Sequence, residues 1–405
     1  MRVDVRQLVL AIGKATDLVG VDDVWHGRRV GIIAVELAKR LGWDRSAQLL
    51  LFDAGVIHDC GVSSTRVHRT LVNEFDWEDS HLHCEKGHAL LSDFHPLAHL
   101  APIVLNHHTH WDALAPKGLE PMAALFSNVI YLADRIDVLA AACGGCGPGA
   151  ASAGLRERVV RHRGTFFASE LVDAFVAVSA TEAFWLSLAT DVVPEYVAEI
   201  QNEGNPLIVG HDELRRFALI VADIVDAKSH FTKEHSLGVA RLSRYLGGLA
   251  GFSGERLGGI EIAGLLHDIG KLQIPDEVLE SPNPLSADER TVIRRHSFAT
   301  WRILHRIGGL GDVARWASEH HESMSGLGYP FHYSGRQIPA ESRIVKVADV
   351  FQALAQARPY RKPMSPGDIL SRLREMQVVD EVDGDLVDLV AGNLARCHEA
   401  AVGAA

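Results

Sequence analysis

The chain has 405 residues, which at roughly 150 residues per domain sets an expectation of two or three domains. Its 40 Lys and Arg against 52 Asp and Glu give a net charge of -12; this excludes a general binder of the nucleic-acid backbone, so any basic face has to be local. With 47% hydrophobic and 23% charged residues the chain is globular, and a disordered or low-complexity class is excluded.

Taken in chain order, the first apolar run, Leu8 to Gly13, ends at Lys14 and is too short for the apolar region of a signal peptide. Val30, Ile33, Leu37 and Leu41 then recur at helical spacing. Cys143 to Gly154 is a Gly/Ala-rich stretch expected to be a loop. Its Cys143 and Cys146 form a lone pair with no second pair to complete a zinc set. The least charged long stretch, Phe166 to Thr190, still holds Glu170, Asp173 and Glu182, so no membrane span is expected. Gln201 to His211, with Asn, Gly and Pro, is expected to be the joint between a domain at 1–204 and another at 205–405. Val239, Leu242, Leu246 and Leu249 repeat the helical spacing, and Ile369, Leu370, Leu373 with Leu386, Leu389, Val390 predict helices in the tail. Long alternating β-branched runs are missing, so the expected class is all-α, as two tandem helical domains. The five scattered cysteines, 60, 84, 143, 146 and 397, do not make a disulfide framework. They fit a soluble protein of a reducing compartment, expected to be cytoplasmic, with no DNA, RNA or membrane partner.

The two halves repeat one another through their histidines. His26 is followed 32 residues later by His58-Asp59, and His235 at the same interval by His267-Asp268. His83 and His296 each stand 24 residues before an adjacent pair, His107-His108 and His320-His321. Ala133-Asp134 and Ala348-Asp349 close the two series. The offset between halves drifts only from 209 to 213 to 215, as two short loop differences would produce.

Each half thus offers five His and two Asp, a nitrogen and carboxylate set that suits a pair of first-row metals and is poor for calcium or thiolate zinc. An Asp directly after a His can bridge two ions with its two oxygens, which makes Asp268 the natural link. Two ions a few Å apart serve a phosphoryl displacement.

These residues carry a resemblance. The second half resembles the HD-GYP branch of the HD phosphohydrolases through LLHDIGKLQIPDEVL at 265–279, HHESMSGLGYP at 320–330, VADVFQAL at 347–354 and RPYRKPMSP at 358–366. The first half resembles the wider HD family through HGRRV at 26–30, VIHDCG at 56–61, NHHTHWD at 106–112 and LADRIDVL at 132–139. The resemblance implies two divalent ions, iron or manganese, in the second half. His235, His267, Asp268 and Asp349 would hold one; His296, His320 and His321 would hold the other, with Asp268 shared. It further implies a cyclic dinucleotide substrate, cyclic di-GMP or 3′3′-cGAMP, with Asp268 and Lys271 catalytic. Lys271, Arg358 and Arg361 would contact its phosphates and bases. The loop at Gly328-Tyr329-Pro330 would serve substrate access, a signalling partner or a homo-oligomer, and Gly328 is expected to supply a permissive turn.

The pattern departs in places. Phe231 stands where some relatives carry a carboxylate for a third ion, so two ions are expected. Ser323 and Ser325 replace an Arg and an Asp, and Gln352 replaces an Asp three residues after Asp349. The first half keeps His26, His58, Asp59, His83, His107, His108 and Asp134 as a second candidate metal site. However, Val62 stands at the place of Lys271 and Cys143 at that of Arg358, so a regulatory domain without turnover is expected there. Against the phosphodiesterase reading stands a non-catalytic tandem receptor or scaffold, which needs neither Lys271 nor RPYR. A general HD nucleotidase is the other enzymatic reading, and a substrate panel separates the two.

Overall fold

The computed structural model describes residues 1–19, 25–142, 150–228, 234–281, 283–357 and 362–403. Regular structure among them is helical, apart from an isolated bridge and one antiparallel pair of two-residue strands. In that pair β1 (Val3–Asp4) sets Val3 opposite Val209 of β2 (Ile208–Val209). The all-α expectation holds.

The residues group into two units: Ile12–Leu207, and Ile208–Ala405 together with Met1–Ala11. In the first, the central helix is His26–Arg40, packed on Arg45–Ile57 and Pro121–Ala142. The predicted face is buried at Val30, Ile33 and Leu37, and so are Ile32, Ala34 and Val35 on the remaining faces. A helix with buried apolar residues on several faces belongs at the centre of a unit rather than at its surface. Each buried Val, Ile or Leu side chain contributes about 1.5–3 kcal/mol. The long helix Pro121–Ala142 is of the same kind, with Val129, Ile130, Leu132, Ala133 and Ile136 buried. Of the stretch expected to be a loop, residues 143–149 lie outside the described ones and the part from Ala150 to Gly154 is helical. Ala150–Val160 is a helix that takes in Gly154, its Ala and Arg content outweighing one Gly.

The second unit repeats this core with His235–Leu249 packed on Gly254–Leu266 and Ala340–Ala355. Val239, Leu242 and Leu246 are buried, while Leu249, the last residue of its helix, is 37% exposed. The tail forms helices Pro366–Val378, Gly384–Gly392 and Leu394–Val402, with Ile369, Leu373, Leu386 and Val390 buried. Leu394–Val402 lies on the central helix, where Arg241 Nε donates to the Ala400 carbonyl at 3.0 Å. No described helix is long and apolar enough to cross a membrane.

Candidate metal centres

In the second unit the seven predicted ligands come from five places in the chain. His235 opens its helix, His267 and Asp268 follow the end of Gly254–Leu266, and His296 sits inside Ala287–Leu304. His320 and His321 follow Gly311–Ser318, and Asp349 lies within Ala340–Ala355. Three of the rings are aimed alike. Nδ1 of His267 meets the Gly264 carbonyl at 2.7 Å, that of His296 meets Ile293 at 2.6 Å, and that of His320 meets Ala317 at 2.7 Å. A nitrogen against a carbonyl is the N–H donor, so each Nε2 keeps its lone pair for the centre. His235 donates from Nδ1 to Gln352 Oε1 instead.

The two oxygens of Asp268 face different histidines. Oδ2 lies 3.1 Å from His267 Nε2 and 3.7 Å from His235 Nε2, and also pairs with Lys271. Oδ1 lies 3.5 Å from His296 Nε2 and 3.9 Å from His320 Nε2. Asp349 Oδ1 is 3.3 Å from His235 and 3.9 Å from His267. Ligand atoms of His235, His267 and Asp268, of His267, His320 and Asp349, and of His296, His320 and His321 form groups within 4.8 Å. Asp268 Oδ1 and His267 Nε2 are buried and have no hydrogen-bond partner. Buried polar atoms are rarely left so, and a donor set of imidazoles and carboxylates fits a divalent cation.

Electrostatics agree with that chemistry at Asp268, His296 and His320, while at His267 burial is outweighed by the neighbouring Asp268, which raises the imidazole. Burial works to raise the Asp268 carboxyl, yet His267, Lys271 and His296 hold it well below the carboxylate range. Burial pushes His296 down to about 4 and His320 to about 3, keeping both in the neutral, ligating form. Lys271 sits on a 3-10 turn, Ile269–Gln273. The turn tightens where Gly270 N–H donates to Thr300 Oγ1 at 3.1 Å.

The Tyr329 ring stacks on His321, centroids 4.8 Å apart. The expected permissive turn is not the role of Gly328, whose backbone is not left-handed; a Cβ there would stand 2.4 Å from Ser323 N, so close approach excludes a side chain. Ser323 Oγ donates to the Asp380 carbonyl at 3.0 Å and lies 2.7 Å from Ser325 Oγ, tying the loop to the tail. Arg358, Arg361, Phe231, Cys143 and Cys146 lie outside the described residues.

The first unit assembles the same figure. Nδ1 of His58 donates to Gly55 at 2.8 Å and that of His107 to Val104 at 2.6 Å. Asp59 Oδ2 is 3.5 Å from His58, while Oδ1 is 3.2 Å from His83 and 3.7 Å from His107. Asp59, His83, His107 and His108 form one buried group within 4.8 Å; His26, His58 and Asp59 form another. Asp134 Oδ1 lies 3.5 Å from His26, and its Oδ2 is held by Arg135 at 2.6 Å. Val62 is buried where the other unit has Lys271.

Several contributing residues escaped the histidine pattern. Asp226 accepts from Ser236 N at 3.1 Å and Asp17 from Gly27 N at 3.0 Å, each capping the helix that carries the first His. Behind His26 stands Asp137, at 2.8 Å from Nδ1 and itself gripped by Arg29 at 2.6 Å, in the place Gln352 takes behind His235. Against burial, Asp137 and Asp134 raise the His26 imidazole to about 9. Cys84 Sγ, 3.7 Å from His83 Nε2, answers to Ser297 Oγ, 3.3 Å from His296 Nε2. All keep the offsets of 209 to 215, and that was the signal available in the sequence.

Family models described as HD domain match residues 25–139 and 220–386. The chain belongs to the HD-domain family. As a tandem HD-domain protein it is 34% identical to the 3′3′-cGAMP-specific phosphodiesterase 1 of Vibrio cholerae, over 99% of this chain and 94% of that one. A cyclic di-GMP phosphodiesterase of Thermotoga maritima is 36% identical over 37% of this chain and 43% of its own length. The crystal structure of a cyclic GMP-AMP specific phosphodiesterase from Vibrio cholerae shares the fold, with a TM-score of 0.66, 21% identity and 98% of both chains covered.

Proposed function

We propose that this tandem HD-domain protein is a metal-dependent phosphodiesterase that opens a cyclic dinucleotide to a linear 5′-phosphorylated dinucleotide. The observation that carries the reading is Asp268, whose two oxygens face two sets of imidazoles while Oδ1 has no hydrogen-bond partner. In this reading His235, His267, Asp268 and Asp349 hold one ion. His296, His320 and His321 hold the second, with Asp268 common to both. Iron or manganese suits a centre without thiolates. When bound, the ions supply Lewis acidity toward the phosphodiester and a route to ionised water near neutral pH. Lys271, anchored on Asp268, presents an ammonium that neutralises phosphate charge as it develops. Arg358 and Arg361 are assigned to phosphate and base contacts from their place in the RPYR run.

The reaction is assigned to 205–405. The half at 1–204 is assigned a metal-binding regulatory role, supported by its complete ligand series and by Val62 at the place of Lys271. Three buried free thiols, Cys60, Cys84 and Cys397, fit a reducing cytoplasm. The GYP loop is the surface assigned to a signalling partner or a second copy.

The test is an anaerobic assay of purified protein with Fe(II) or Mn(II), with metal content measured per chain. 3′3′-cGAMP goes first, since a relative matched over 94% of its length carries that name, with cyclic di-GMP and cyclic di-AMP in parallel. Turnover is expected with two ions in the second half. Chromatography of the products separates the linear dinucleotide from mononucleotides. Filled sites without turnover on all three substrates would replace this reading with a nucleotide receptor.

A further inference from the structure

Arg294 lies two residues before His296 on the helix Ala287–Leu304 and is solvent-exposed. Its guanidinium carbon stands 5.3 Å from the centroid of the Tyr329 ring. That ring in turn stacks on His321 at 4.8 Å, and its centroid lies 6.4 Å from that of His296. The cation is therefore two stacking layers from a residue of the metal centre, on the side where the GYP loop borders it. No described carboxylate pairs with it, whereas Arg343 and Arg315, in the same unit, are bound to Asp383 and Glu319. A guanidinium resting on an aromatic face keeps its in-plane N–H donors available, and these match a phosphate two at a time.

The first unit supplies an internal comparison. At offset 213 the counterpart of Arg294 is His81. The first unit has Val62 and His81 in place of Lys271 and Arg294, while its ligand series is kept. Arg294 and Lys271 are thus present in the same half and replaced together in the other, as expected if both serve the same polyanionic ligand.

We propose that Arg294 binds the phosphate of the cyclic dinucleotide that is not being cleaved, and so sets the preference of the centre for a dinucleotide over a smaller diester. The inference rests on the phosphodiesterase reading above. The test is steady-state kinetics of Arg294→Ala and Arg294→Lys in the full-length, metal-loaded protein, with metal content measured on each. Arg294→Ala should raise KM for the cyclic dinucleotide about tenfold or more, the loss typical of a charge-assisted contact, with kcat changed less than twofold. The ratio of kcat/KM for the dinucleotide to that for bis(4-nitrophenyl) phosphate should fall by the same factor. Arg294→Lys should recover much of the KM, because a phosphate accepts either cation.

An unchanged KM and ratio in Arg294→Ala, with the wild type active, overturns the proposal and leaves the phosphodiesterase reading intact. A Lys variant as poor as Ala overturns the phosphate assignment in favour of a planar stacking contact. Loss of metal from Arg294→Ala overturns it in favour of a structural role. Inactivity of the wild type on every cyclic dinucleotide removes both readings.

Discussion

At the scale of single residues the chemistry converges on Asp268, whose oxygens are 3.1 Å from His267 on one side and 3.5 Å from His296 on the other. Removing it leaves both imidazole sets without their shared carboxylate. Asp268→Ala is expected to lose turnover by more than about 10³-fold and to retain fewer than two ions in the second unit, read by kinetics and elemental analysis. Lys271→Ala should keep its metal but lower kcat about 10²-fold, as loss of one preorganised charge at a phosphoryl centre does. The outer contact of His235 is a neutral amide, Gln352, where His26 has the carboxylate of Asp137. Gln352→Ala frees the His235 ring and should weaken metal retention about 10- to 100-fold in chelator competition.

At the scale of elements, the short turn after each His-Asp pair is wedged against the next ligand helix. A Cβ on Gly270 would stand 2.0 Å from the His296 carbonyl, and one on Gly61 would stand 2.0 Å from that of His83. The contact holds Asp268 and His296, and likewise Asp59 and His83, at ligand distance. Gly270→Ala is expected to destabilise the protein by about 2–3 kcal/mol, the cost of overpacking backbone against backbone. A lower Tm and a lower metal content in the second unit would check this together. Gly61→Ala should do the same to the first unit and leave the second loaded.

For the whole molecule the sum of these shifts sets the response to acid. Burial depresses His107 to about 4, His296 to about 4 and His320 to about 3, against about 6.5 in an unfolded chain. Below pH 6.5 the unfolded chain therefore binds protons that the native rings refuse, and stability falls as pH falls toward 3. The depressed carboxyls of Asp59, Asp268 and Asp349 act in the same direction at still lower pH. His26 and His267 oppose: both are raised, and His26, at about 9, contributes stability below pH 6.5 that is lost as pH climbs through 9. The chelated protein should therefore have its highest Tm near neutrality, falling toward acid and more gently toward alkali, in thermal melts run across pH.

The histidine and aspartate series, its offsets and the helical class were all legible in the chain, because ligand residues and apolar faces recur at spacings that helices impose. The same series at positions 26 to 134 and 235 to 349 names the residues that the two candidate centres bring together. What the chain alone left open were contacts made across long separations. The amide of Gln352 behind His235, the carboxylate of Asp137 between His26 and Arg29, and Arg294 over Tyr329 join residues 35 to 117 apart. Linear spacing says nothing about which side chain fills the space behind a ring, since packing between helices decides it. The division of the two Asp268 oxygens is of this kind: sequence named the carboxylate, and only the crossing of four helices around it determined which histidines each oxygen meets.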